Sequence, residues 1–572
     1  MFGCLTDFRK KAISMAVFER YSCATAVGAG LLLSLSLPAV GQGVSTWCSK
    51  FDQTSEDQRL KTMVIQVKSS DGTVDADLAA KFKFANTLQA ILTKANSKQK
   101  PEALVTTMVD SFRTVDGDER QPKSHLRMKV SARPGEAQLR PADLVADQGD
   151  DSIVPVGFFN RFDLSNFPAG HCGEARIVFA KKPQAGRRLL IIFEGKVTPK
   201  ELKNENEQLT ESDCRPVAEF WASLIDKSAQ QRADALQKFY FDGDMGTFGR
   251  LPIPPMSFEN LGGSNRGQVR ANLFINGPAN PWQLREWLLR KHGDRLAFDV
   301  VTVKDNPLTE FYDTTKASTL PEPNRGAAEL ADFQDRFKKE MLKSLVSNNA
   351  VGSGDAVRAL STEIQMAHGF GFGQGLTAEF DEFESTSQGD ADIPKPDSGF
   401  QNGIDQAKKP LGSDLTIQQV INRATALTCH GCHQPEGVTR PAGFRLEIAP
   451  NVFWPKTLNF VHIDEDSKLS EALSRSFIPF RAALLKDHLC RDLEGAPAGQ
   501  PVTAELFALR KAAPAPLALG TSSLQSLRQE LATAASPSQR AAIQEIINDE
   551  QIVRRRAERS LPGSLWPYRR TH

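Results

Sequence analysis

The hydrophobic period changes once along this 572-residue chain, and that change limits its folds more than any other feature. Before residue 305 the apolar residues come mostly as short β-rich runs. After 324 they recur at spacings of three and four. Residues 63–67 read as a strand, and Leu78, Phe82, Phe84, Leu88 and Leu92 follow in a helix-like pattern. Residues 125–198 read as mostly strand, with 175–179 and 189–193 forming a hairpin around Lys181, Lys182 and Pro183. Residues 217–239 read as helix. Val269, Ala271, Leu273 and Ile275 alternate as a half-buried strand should, 282–289 reads as a helix, and 296–303 as another strand. No regular strand–helix–strand alternation appears, which argues against a doubly wound sheet. Beyond 324, Leu330, Phe333, Phe337, Met341 and Leu345 fall on one helical face. Residues 375–413, rich in Gly, Asp, Ser and Pro, read as a surface loop or linker, and helices resume at 416. The expected class is α+β, a mixed α/β N-terminal region followed by a mainly α-helical C-terminal region. The expected divisions are 1–41, 42–305, 306–415, 416–495 and a helical basic tail at 496–572.

Residues 1–41 read as a secretory signal peptide. Arg9, Lys10, Lys11 and Arg20 precede an apolar run at 24–37, and Ala39 and Gly41 supply the small residues a cleavage site needs. That run is too short to span a bilayer comfortably, and no later stretch approaches 18 apolar residues. No membrane span is therefore expected in the mature chain, which would be periplasmic or secreted. Such compartments are oxidising, so cysteines become disulfide candidates. Of eight cysteines, six follow residue 41. Cys429 and Cys432 stand apart because of their spacing. The remaining four allow three pairings. Cys172 with Cys214 is the expected local pair, since both lie in the mixed region, and Cys48 then joins Cys490.

Lysine and arginine number 70 against 69 acidic residues, a net charge of +1. This balance argues against a nucleic-acid partner, which calls for a strong basic surplus. Arg554, Arg555, Arg556, Arg559, Arg569 and Arg570 concentrate charge near the end. They read as a solvated helix end, or as a contact with an acidic surface.

The strongest chemical signal is Cys429-His430-Gly431-Cys432-His433, the C-x-x-C-H pattern of covalent haem attachment. Two thiols must add to two vinyl groups on one edge of the macrocycle, and cysteines three apart on a helical turn share a face. The histidine that follows can then reach the iron as the proximal ligand. Upstream, Thr416 and Gln419 have capping-box spacing, and Ile417, Val420, Ile421, Ala424 and Leu427 form an apolar stripe leading into the motif. A zinc site would want a second ligand pair, and no second C-x-x-C exists. A thioredoxin-type dithiol would want a strand before the pair, where a helix is expected instead. A plain disulfide is the remaining alternative.

Residues 416–495 resemble a c-type cytochrome domain with one haem. The wider chain resembles exported proteins of Gram-negative bacteria that carry a single such motif near the C-terminal third. The phrases that carry this likeness are N-R-F-D-L at 160–164, C-G-E-A-R-I-V-F-A at 172–180, P-W-Q-L-R-E at 281–286 and R-A-T-A-L-T-C-H-G-C-H at 423–433. The resemblance implies one covalent haem c and export, and nothing about a substrate. Small cytochromes usually take a downstream methionine as sixth ligand, but the last methionine here is Met366, upstream of the motif. His462 and His488 are the downstream nitrogen candidates. His462 precedes a helix beginning near Leu469, the order in which a ligand loop precedes the last helix. His488 sits beside Leu484 and Leu485, where a core histidine is the simpler reading. Met366 and His368 could reach in from upstream. The expected iron ligands are thus His433 and His462, with Asp464 or Glu465 near enough in sequence to hold the second ring nitrogen of His462.

Three function classes follow. The leading one is an exported monohaem protein for single-electron transfer with an unidentified redox partner protein, one iron holding one electron. The alternatives are a haem enzyme or ligand sensor with an open iron position, and a non-haem binding module with a structural C-x-x-C. Asn160, Arg161, Asp163, Glu174, Arg176 and Glu194 could line a pocket and do acid–base work. Arg and Glu on neighbouring strands are more often cross-strand ion pairs.

Overall fold

The computed structural model describes residues 44–113, 132–167, 170–182, 188–201, 209–262, 267–275, 282–301, 309–318, 327–346, 395–426, 429–433 and 444–493. The expected signal at 1–41 and the tail at 496–572 lie outside them, as do Met366 and His368.

Seven strands form one sheet: β1 (Val64–Gln66), β2 (Ile153–Asn166), β3 (His171–Lys181), β4 (Leu189–Lys196), β5 (Gln268–Leu273), β6 (Gln283–His292) and β7 (Arg295–Val301). They lie side by side in chain order, and every pair is antiparallel. The fold is thus mixed α and β around an antiparallel sheet, as the pattern of 42–305 requires. The hairpin expected at 175–179 and 189–193 is β3 with β4.

The sheet is buried on both faces, and register sorts its residues. Ile177, Phe193, Val269 and Trp287 follow one another across β3 to β6. This apolar face is covered by the helices Ala76–Lys81, Phe84–Lys94 and Ala229–Asp242. Phe82 meets Phe158 at 4.5 Å and Phe84 meets Phe179 at 5.2 Å. The other face carries Glu174, Arg176, Glu194, Lys196, Arg270 and Glu286, all buried. Where β2 and β3 slip register beyond Arg161, Gly173 sits at φ +89°, and a Cβ there would stand 2.2 Å from the Arg161 carbonyl. Only glycine fits that irregularity.

Three local expectations are corrected. Residues 282–289 are not a helix but most of β6. A strand buried on both faces puts apolar residues at odd and even positions, and Leu284, Trp287 and Leu288 then imitate a helical spacing. The stretch 217–239 is two helices, Arg215–Ser223 and Ala229–Asp242. The second starts at a capping box in which Ser228 accepts from the Gln231 backbone. Within the expected loop 375–413, Ser398–Lys408 is a helix, capped by Asp397 and burying Phe400 and Ile404 one turn apart.

Two cores result. Residues of the sheet and its helices share one with Ala426, Cys432, Trp454, Phe477, Leu485 and Leu489, so the C-terminal described part packs onto the sheet rather than beside it. Phe311, Phe333, Phe337, Phe400, Ile404, Val420 and Ile421 form the second. Both expected disulfides are present. Cys172–Cys214 has a Cα separation of 5.4 Å, and Cys48–Cys490 one of 4.8 Å across 442 residues of sequence. Among the described residues no helix is long and apolar enough to cross a membrane.

Candidate functional site

The C-x-x-C-H motif follows the helix Ile417–Ala426, whose start is the expected capping box. The Gln419 N–H donates to Thr416 Oγ1 at 3.1 Å, and the Thr416 N–H to Gln419 Oε1 at 3.0 Å. Arg423 Nε donates to the Ile448 carbonyl at 2.6 Å and Asn422 Nδ2 to the Glu447 carbonyl at 2.8 Å, which fastens the helix to the short strand Glu447–Ala449. A second short helix, Cys429–His433, carries the motif. Cys432 and His433 are buried, and the Cys432 thiol is free. The Cys429 side chain lies outside the described residues.

Twenty-nine positions beyond His433, His462 comes to the same place. The two imidazole centroids are 4.8 Å apart, and His462 Nε2 lies 3.5 Å from Cys432 Sγ. Each ring is anchored through its other nitrogen. His433 Nδ1 donates to the Phe460 carbonyl at 2.8 Å, and His462 Nδ1 lies 3.0 Å from Ser470 Oγ. The expectation that Asp464 or Glu465 would hold His462 is corrected. Asp464 instead caps its own turn, accepting from the Lys468 and Asp466 backbones, and Glu465 pairs with Arg188 at 2.6 Å. Ser470 gains access because the loop closes on itself, its N–H donating to the His462 carbonyl at 2.9 Å.

Burial dominates the electrostatics. It pushes His433 down to about 4, helped by Arg270 and opposed by the Phe460 carbonyl. It holds His462 well below the usual histidine range, with His433 and Arg481 adding to the effect. It pushes the Cys432 thiol up to about 12, against the pull of Arg481. Both imidazoles are thus neutral at pH 7, the form that binds a metal.

Sequence reasoning missed the group that packs on His433. The Trp282 indole stacks on its imidazole, centroids 5.3 Å apart and planes 29° apart. Trp282 lies in the phrase P-W-Q-L-R-E, but a helical reading of 282–289 gives it no reason to face the motif. The polar set of the N-terminal region forms ion pairs. Arg161 holds Asp163 at 2.9 Å, and Arg176 holds Glu174 at 2.6 Å and its cross-strand neighbour Glu194 at 3.0 Å. Asn160 donates to the Thr62 carbonyl. Asp163 also meets Arg481, from the helix Ile478–Cys490, at 3.7 Å. His488 is buried on that same helix, with its ring against Phe162 rather than against His433 or His462.

The donor set can be compared with what a covalently bound haem requires. Among the described residues no group of three or more His, Cys, Asp or Glu side chains forms a cage for a bare metal ion. A macrocycle brings four nitrogens of its own and asks the chain for two at most. Two neutral imidazoles with their Nδ1 atoms engaged, beside a buried thiol of the attachment motif, are donors of the right kind, but at a centroid separation of 4.8 Å the two rings would have to part to admit an iron between them. Trp454 adds a buried indole N–H with no partner, and its ring lies 6.0 Å from Phe477, which in turn packs on His462. No family model, curated protein or solved structure matches the chain.

Proposed function

We propose that this chain is an exported monohaem c-type protein that passes single electrons to and from a redox partner protein. Cys429 and Cys432 would carry the haem, and His433 and His462 would be the ligands to its iron. The observation that carries this reading is the meeting of His433 with His462. They come together although twenty-nine positions apart, each buried and neutral, with Nδ1 engaged. The group would supply one iron that takes up and releases one electron. The chain's own contribution is to hold two imidazoles neutral, exclude water and keep a low dielectric around them. Two nitrogen ligands stabilise ferric iron better than a nitrogen and a thioether do, so a low midpoint potential is expected. Two disulfides accord with an oxidising compartment.

Mass spectrometry of protein made with the haem-attachment machinery tests the attachment. The expected mature chain is heavier by one haem, and changing Cys429 and Cys432 to alanine abolishes retention rather than weakening it. An unmodified parent chain refutes the reading. The ferric absorption spectrum tests the ligands. A low-spin parent and a high-spin, cyanide-binding His462→Ala variant are expected. A parent that is already high-spin would instead favour the enzyme or ligand sensor with an open iron position.

A further inference from the structure

Trp282 stands immediately before β6, only 3% exposed, in a small apolar group with Leu284, Phe274 and Phe460. Its Nε1–H donates to Asn272 Oδ1 at 2.9 Å, and Asn272 is itself buried on β5. The indole stacks on His433 and also on Phe460, the latter with centroids 4.7 Å and planes 25° apart. Phe460 supplies the carbonyl that receives the His433 Nδ1–H. It does so from a strained backbone: Asn459 has φ +53° and Phe460 φ +65°. A bulky residue in the left-handed region persists only where its surroundings hold it, and such strain gathers at functional sites. The sheet provides the hold. Arg188, just before β4, donates from Nη1 to the Asn459 carbonyl at 3.1 Å and ion-pairs with Glu465, and its guanidinium lies 4.7 Å from the Phe274 ring.

We propose that Trp282 is the positioning residue of the iron site, fixing the plane of the His433 imidazole, and that Arg188 supports it by holding the 459–460 turn. This assigns the N-terminal sheet a task in the site, and it rests on the reading of His433 as an iron ligand. Three constraints converge on one ring: a carbonyl on Nδ1, an indole on its face, and an attachment helix behind it. A ring so held would not rotate about a bond to iron. The orientation of iron-bound imidazoles would set the splitting of the ferric d orbitals. The spectrum of the iron should therefore report on Trp282.

The test uses the full chain with attached haem. Haem content is first checked by mass in the parent and in Trp282→Leu, Trp282→Phe and Arg188→Gln. Low-temperature electron paramagnetic resonance of the ferric proteins then reads ring orientation. A single low-spin species is expected in the parent and in Trp282→Phe, which keeps an aromatic face. Trp282→Leu should broaden into more than one low-spin species with shifted g values while retaining its haem. Arg188→Gln, a half-buried change that leaves the core intact, should move the signal in the same direction and serves if Trp282→Leu does not fold. A parent-like signal in Trp282→Leu, or in Arg188→Gln where only that variant folds, overturns the proposal. If the parent chain carries no haem, the functional reading fails by itself. The clamp is then decided by nuclear magnetic resonance of the haem-free chain. The His433 ring protons should lie upfield under the indole and move downfield in Trp282→Leu, or in Arg188→Gln where Trp282→Leu does not fold. Unmoved protons overturn the clamp as well.

Discussion

His488 shows what a buried histidine costs when no ligand role accompanies it. Burial holds its imidazole well below the usual range, and Arg215 and Arg491 add repulsion. Its Nε2 has no hydrogen-bond partner. In the folded protein it stays neutral, while in the unfolded chain it takes a proton below about pH 6.5. The unfolded state therefore binds the extra proton, so stability is full above about pH 6.5 and falls as pH drops toward the depressed folded value. His488→Leu removes both the orphan nitrogen and the proton uptake. Its loss of stability between about pH 6.5 and 5 should be shallower than the parent's, by up to ~1.4 kcal/mol per pH unit. Urea melts at several pH values measure this, and equal slopes would refute it. His488 beside Leu484 and Leu485 is legible as a core histidine from spacing alone. The Ser470 partner of His462 is not, because it depends on how the 462–470 loop closes, whereas Asp464 and Glu465 are merely near in sequence.

At the scale of the element, the helix Ile417–Ala426 delivers the motif, and its start is written locally. Thr416 and Gln419 satisfy one another's backbone donors, so four residues of sequence suffice to place the end. Thr416→Ala should destabilise the protein by about 1 kcal/mol, with Thr416→Ser close to the parent. Chemical denaturation distinguishes them, and an alanine variant as stable as the parent would contradict the cap. Strand β6 is the opposite case. Its residues face the helix-covered core on one side and the ionic layer on the other, and nothing local reveals that a second layer exists. The helix Ser398–Lys408 is hidden differently, its Phe400 and Ile404 being two apolar residues amid glycine, proline and charge.

At the largest scale, Cys48–Cys490 joins the two ends of the described chain. The bond joins the short helix Trp47–Lys50 to the end of the helix Ile478–Cys490, where Ser45 N–H also donates to the Leu489 carbonyl at 3.1 Å. Replacing Cys48 and Cys490 by alanine should cost about 2–5 kcal/mol. In the chain-entropy account this exceeds the cost of removing Cys172–Cys214, because 442 residues separate the first pair and 42 the second. Thermal melts of the two double variants test the order, and a reversed order would show that strain or residual structure outweighs loop closure. The first bond also ties down the helix Ile478–Cys490, whose Arg481 meets Asp163 of β2. Loosening it should raise hydrogen exchange along 478–490 before it affects β3 or β4.

Residue types and their spacing determine by themselves the motif, the cap before it, the shift from strand period to helix period, and the shortage of downstream methionine that points to His462. These are local facts, carried by chemistry within a turn or two of the chain. The meeting of His433 with His462, the Trp282 indole on the first and the Ser470 hydroxyl on the second are decided only by tertiary structure. So is the ionic layer of Arg161, Asp163, Glu174, Arg176, Glu194 and Arg481, whose members sequence places on strands and helices without saying which share a face. They depend on loop closure, on register and on packing between segments as far apart as Asp163 and Arg481. A one-residue slip of β6 would turn Trp282 to the other face of the sheet. Periodicity tells which residues are buried, but only the assembled sheet tells what they are buried against.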